Sequence, residues 1–159
     1  MTLLDLNRQY EAPTAWCTPE NYHLKQMLKG LADDTNVSLD FVIDMHSHST
    51  AMNAFCYVNL LKDNEALMLE SLQFLRLLST SCSMFSLSAS RVCSDPAKTG
   101  TGRVALQQVV EEKTHCYTLE VSFFGYHTMG TRVVPFTQQS YLAIGRAVAA
   151  TFNDFYKIS

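Results

Sequence analysis

The stretch "FVIDMHSHS", residues 41–49, constrains the fold more than any other part of the chain. With Leu39 and Asp40 before it, the run 39–46 is apolar, rich in strand formers and too short for a stable helix, so it reads as a mostly buried strand. Such a strand needs covering layers, and the rest of the sequence must supply helices and further strands. "TPENYHLKQMLKGLADD" (18–34) has helical spacing, with Thr18 placed to cap, Pro19 suited to the first turn, and Tyr22, Met27, Leu28 and Leu31 on an apolar face that closes near Gly30. "NAFCYVNL" (53–60) reads as a second strand, and "DNEALMLESLQFLRLL" (63–78) as a helix capped by Asp63 or Asn64. The serine-rich 79–102 segment holds one short strand around Met84–Leu87 and then a Pro/Gly loop. Residues 103–112 form a short helix or an extended arm, 115–126 alternate as a strand, and 137–157 form a closing amphipathic helix with Thr137 at its cap. This order predicts an α/β fold, a mixed β-sheet flanked by helices. Residues 1–159 are expected to be one domain portion without a separate linker or second domain.

Bulk properties narrow the function classes. At 47% hydrophobic and 17% charged the chain has enough apolar side chains for a core. A net charge of −3 argues against a general nucleic-acid binder. The start lacks a basic segment followed by an apolar one, and no apolar run approaches the roughly 18 residues of a membrane span, so no membrane partner is expected. The five cysteines (Cys17, Cys56, Cys82, Cys93 and Cys116) show no CxxC spacing, and reduced thiols in the cytosol are the plain reading.

Four places carry candidate chemistry. On a strand, Asp44, His46 and His48 share one face by the two-residue period, an arrangement suited to a metal or a general base at a strand end. A satisfied histidine pair is the bland alternative. Zinc needs about three protein ligands, His23, His115 and His127 stand isolated, and no HExxH occurs. Glu120 lies within "CYTLEVSF" among apolar neighbours; burial there would raise its pKa toward the range of a general base, unless it points to solvent. Asn7 and Arg8 in "LDLNRQY" could hold a carboxylate through the guanidinium fork, or be ordinary surface residues. In "KTGTGR" (98–103) the glycines permit close backbone approach and could set Arg103 in a pocket. The phosphate-loop pattern GxxxxGK[ST] is missing, and a flexible loop is the alternative.

Taken in order, "DLNRQY", "FVIDMHSHSTAMNAFCYVN", "AKTGTGR", "CYTLEVSFFGY" and "VPFTQQSYLAIGRAVAATFNDFY" resemble the zinc metallocarboxypeptidases, and within them the cytosolic carboxypeptidase subfamily. The resemblance runs through essentially the whole chain and covers the C-terminal half of the family's catalytic domain. It implies that His46 is a zinc ligand, that Asn7 and Arg8 hold the substrate's terminal carboxylate, that Glu120 is the general base, and that Arg103 lines the pocket for an acidic terminal side chain. It further implies removal of C-terminal glutamates from acidic peptide tails such as those of polyglutamylated tubulin, in the cytoplasm and at microtubules or cilia. His48 and Asp44 receive no assured role. Ser47 stands where the family commonly has Gly or Ala, and Gln138 and Gln139 where acidic residues are frequent.

The family's H-x-x-E motif, which supplies the other two zinc ligands, precedes the Asn-Arg pair and has no counterpart in these 159 residues. The expectation is that this polypeptide is truncated, holds zinc poorly with one histidine, and lacks hydrolytic activity by itself. The alternative is a non-catalytic module that binds acidic tails through Arg8 and Arg103, or pairs with a partner chain.

Overall fold

The computed structural model describes residues 4–61, 64–128 and 132–157. Its strands are β1 (Phe41–His48), β2 (Ala54–Asn59), β3 (Arg91–Cys93), β4 (His115–Ser122), β5 (Gly125–His127) and β6 (Val133–Pro135). Its helices are α1 (Pro19–Asp33), α2 (Glu65–Ser81), α3 (Gly102–Gln107) and α4 (Gln138–Tyr156), with short 3-10 turns at Leu6–Arg8 and Pro96–Lys98. The main sheet has the order β1-β4-β2-β3, and β5 pairs antiparallel with β6, Tyr126 opposite Val134. This is the mixed α/β architecture predicted from the alternating pattern. No helix among the described residues is long and apolar enough to cross a membrane.

By packing, the chain divides into two compact units: Met1–Asp44 with Cys93–Tyr117, and Met45–Val92 with Thr118–Ser159. In the first unit, α1 buries Leu28 and, unusually, Asn21, whose Nδ2 donates to the Leu6 carbonyl at 2.7 Å. The Thr114 hydroxyl donates to the Leu39 carbonyl (2.6 Å), the His115 amide donates to that of Asp40 (2.7 Å), and Phe41 lies against the His115 and Tyr117 rings. In the second unit, β2 is buried at nearly every position. α2 buries Leu67, Ser71, Phe74, Leu75 and Leu78, one stripe at helical spacing, and Phe74 meets Phe152 and Phe155 of α4. Both long helices of this unit start on side-chain caps: Asn64 Oδ1 accepts the Leu67 amide (3.0 Å), and Thr137 and Ser140 cap each other reciprocally.

Several expectations need correction. β1 is half-exposed rather than mostly buried, with Met45 63% exposed, because it has a sheet neighbour on one side only. α1 runs through Gly30 to Asp33, Met27 points to solvent, and Thr18 makes no capping bond from its side chain. Asn64 is the cap of α2; Asp63, the other candidate, lies outside the described residues. Around Met84–Leu87 there is a single bridge, Ala54 to Phe85, and the strand of this segment is β3 instead. The 103–112 segment is helical for its first half only, and the predicted strand 115–126 breaks at Phe123 and Phe124 into β4 and β5.

Candidate functional site

The first cluster belongs to the unit containing the chain's first 44 residues. Asp5 Oδ1 accepts the Asn7 amide (2.9 Å), an aspartate turn that starts the 3-10 segment Leu6–Arg8. α1 grips both sides of this segment. Asn21 holds the Leu6 carbonyl before it, and Lys25 Nζ donates to the carbonyls of Tyr10 (3.0 Å) and Glu11 (2.7 Å) after it. The glycine loop meets the same segment: the Gly102 amide donates to Asn7 Oδ1 at 2.9 Å, and the Tyr10 amide donates to the Gly100 carbonyl at 3.0 Å. A Cβ at Gly100 would stand 2.5 Å from the Arg8 carbonyl oxygen, and one at Gly102 2.8 Å from Asp44 Oδ2. At both positions the glycines serve close approach to the chain's own backbone and to Asp44.

Charge is arranged asymmetrically in this cluster. Arg8 is exposed, and its Nη1 donates to the Asn7 carbonyl (2.7 Å). Arg103, in α3, is 4% exposed. It lies near Cys116, whose thiol is pushed up to about 12 by burial while the Arg103 charge acts in the opposite direction. The Tyr10 phenol is raised above its usual value, first by burial and then by the Asp44 carboxylate. Asp44 thus sits beside Tyr10 and Gly102. Sequence patterns point to neither Tyr10 nor Lys25, and only the neighbouring "NR" hints that this segment matters.

The second cluster belongs to the other unit and is described by itself. His46, on β1, and Glu120, on β4, are both half-buried. The charge of Glu120 reaches Cys56 on β2, whose buried thiol is raised well above its usual value, chiefly by desolvation. His48 plays a structural part. Its Nδ1 accepts the Ala51 amide (2.8 Å) and the Thr50 amide (3.3 Å), and its ring packs edge-on against Phe55 at 5.2 Å. These bonds make Nδ1 an acceptor and close the turn between β1 and β2. The backbone beyond Glu120 is pinned as well, since the Phe123 amide donates to the His48 carbonyl (3.0 Å). Among the described residues, no three His, Cys, Asp or Glu side chains converge as a metal ion would require.

The structure thus brings Asn7 and Arg8 against Gly100 and Gly102, just before Arg103 in α3, and it sets His46 and Glu120 on strands of the main sheet.

No family model matches the chain. By sequence it is similar to cytosolic carboxypeptidase 6 of Homo sapiens, 40% identical over 156 residues that make up 98% of this chain and 31% of that protein. Cytosolic carboxypeptidase 6 of Caenorhabditis elegans is 32% identical over 161 residues, 96% of this chain and 35% of that protein. The chain therefore spans about a third of the length of these curated relatives. Among solved structures, a metallo-carboxypeptidase from Burkholderia cenocepacia superposes with a TM-score of 0.80 at 17% identity, over 97% of this chain and 38% of that one. A metallo-carboxypeptidase from Pseudomonas aeruginosa gives 0.75 at 18% identity, over 97% of this chain and 40% of that one. At such identities these two show the fold.

Proposed function

We propose, for a chain that is a segment-length relative of the cytosolic carboxypeptidases, that it carries the substrate-recognition part of a zinc carboxypeptidase trimming glutamates from acidic C-terminal tails. The observation that supports this most is the bond from the Gly102 amide to Asn7 Oδ1, which brings the "NR" and "GTGR" motifs together from 95 positions apart. An exopeptidase needs a fixed cation for the terminal carboxylate, and Arg8 beside the Asn7 amide offers donors of that geometry. A second guanidinium, Arg103, would favour a glutamate side chain over an apolar one by adding a charge-assisted contact. Glu120 is given the role of proton carrier at the scissile bond.

A metal ion, implied by the names of the fold neighbours, does not fit the described residues as a complete site. His46 offers one imidazole where about three protein ligands are usual. In this reading His46 is one ligand of a zinc ion completed elsewhere in a longer protein, the 159-residue chain by itself is inactive, and no step of the reaction is assigned to it alone. Residues 1–159 are taken as one portion of a catalytic domain, acting in the cytoplasm on tails such as those of polyglutamylated tubulin, at microtubules or cilia.

The test is binding of a glutamate-ended peptide and of its C-terminally amidated form, followed by calorimetry. Preference for the free carboxylate, lost in Arg8→Ala, is expected. Equal affinity for both forms would sink the carboxylate assignment. Binding without glutamate release by a protein of the relatives' full length would favour the non-catalytic binding module.

A further inference from the structure

The segment between α2 and β3 builds a second surface, made wholly of residues in the second unit and apart from both clusters described above. After α2 the chain meets β2 at the Ala54–Phe85 bridge, where the Ser86 amide donates to the Ala54 carbonyl at 2.7 Å. It leaves the sheet through Leu87–Ala89 and returns at Ser90, whose Oγ accepts the Cys56 amide (3.0 Å) and donates to the Ser86 carbonyl (3.1 Å). Ser86 Oγ in turn accepts the Ala89 amide (3.2 Å). The excursion is closed on itself and tied to β2, so a ligand would not have to order it. Val58, Leu72, Leu75, Leu87 and Val92 line a cleft of about 70 Å³ there, with Arg91 beside them. Val58 and Leu75 are buried, whereas Leu87 and Val92 are 38% and 42% exposed, so the cleft opens to solvent. Benzene fills a cavity of roughly 150 Å³, so this one has room for a single aliphatic side chain and for nothing larger.

Two further features surround the cleft. β3 ends the main sheet, so backbone groups along its outer side have no strand partner among the described residues. Arg91, exposed on that strand, donates from Nη1 to the carbonyls of Ser88 and Ser90, which holds its guanidinium in place. Its Nε and Nη2 bond to nothing among the described residues. We propose that this edge docks an extended segment of a partner protein in which an aliphatic residue stands next to an acidic one. The segment adds as a strand beside β3, its aliphatic side chain enters the cleft, and its carboxylate pairs side-on with Nε and Nη2 of Arg91. Charge selects this occupant: a basic segment is repelled by the guanidinium, and a wholly apolar one gains nothing from it. The inference is independent of the carboxypeptidase reading.

The probe is a peptide blocked at both ends, with glutamate and leucine adjacent at its centre between threonines, so it offers no terminal carboxylate. Titrated into the isotope-labelled chain and followed by NMR, it should shift the amides of Leu87 to Val92. Glutamine in place of its glutamate should weaken binding about two- to fivefold, the range of an exposed ion pair. Glycine in place of its leucine should weaken binding about tenfold. Methylating alternate peptide nitrogens should abolish binding in one phase and spare it in the other, because only every second amide of an added strand faces β3. In Arg91→Gln the glutamate and glutamine peptides should bind alike, with the α4 amides reporting that the unit is folded. Should that variant unfold, the peptide series on the wild-type chain decides by itself. No shift at Leu87 to Val92 overturns the site, and equal affinity of the glutamate and glutamine peptides for the wild-type chain overturns the acidic class. Equal loss in both methylation phases overturns strand addition. Inorganic phosphate that shifts the same amides as strongly as the peptide would make this a simple anion site and overturn the proposal.

Discussion

At the residue scale, the glycines separate into two kinds. Gly100 and Gly102 are pressed against backbone and carboxylate, whereas Gly30 and Gly145 are exposed helix positions with nothing within 4 Å of a built Cβ. Gly100→Ala should destabilise by about 1–3 kcal/mol, because the Arg8 carbonyl cannot move aside as a side-chain tip could. Gly30→Ala should stabilise by about 0.5–1 kcal/mol through reduced chain entropy, and urea unfolding of the two variants checks the contrast. From sequence all four are simply glycines. The difference comes from a neighbour far along the chain, which no local pattern encodes. The same holds for Asp44: its period-two relation to His46 was legible, but its place against Tyr10 and Gly102 was not, because side-chain surroundings depend on the packing of separate segments.

At the element scale, the features that local chemistry determines were legible. α4 begins where Thr137 was expected to cap it, and the bond set there is reciprocal with Ser140. Thr137→Ala should cost about 1 kcal/mol, read as a lowered urea midpoint with unchanged slope. The helix α2 was legible from its spacing, and Phe74, 2% exposed between Phe152 and Phe155, is the centre of the stripe it buries. Phe74→Ala should cost about 3–5 kcal/mol, and a loss below about 1 kcal/mol would mean that α2 and α4 rely on other contacts. β1 is less buried than its apolar composition suggests, because burial is decided by a strand's place in the sheet. β6 escaped, and β5 was not separable from β4, because strands of three residues leave almost no period to detect.

At the scale of the whole molecule, the buried thiols contribute to alkaline behaviour. The Cys116 thiol titrates at about 12 in the folded chain against an ordinary 9.0, and Cys56 shifts in the same direction. Between those values an unfolded chain sheds protons that the folded chain retains. The contribution is therefore fully present below the unfolded pKa of about 9 and is lost as pH rises toward 12. Urea midpoints measured from about pH 8 to 11 should decline, and Cys116→Ala should flatten that decline in part. Over the same range exposed Cys17 should be alkylated well before Cys116. A midpoint independent of pH would show that the thiols are less secluded than their burial implies.

The bond between Asn7 and Gly102 also has a kinetic consequence. It closes a span of 95 positions, whereas α2 and α4 each gain their first turns from bonds made three or four residues apart. Closing a long span costs more chain entropy than a local turn and repays it only when the segments at both ends are already shaped. During refolding, protection of the Gly102 amide should lag behind helical circular dichroism, so a chain caught early would already look helical while its two distant segments are still unjoined.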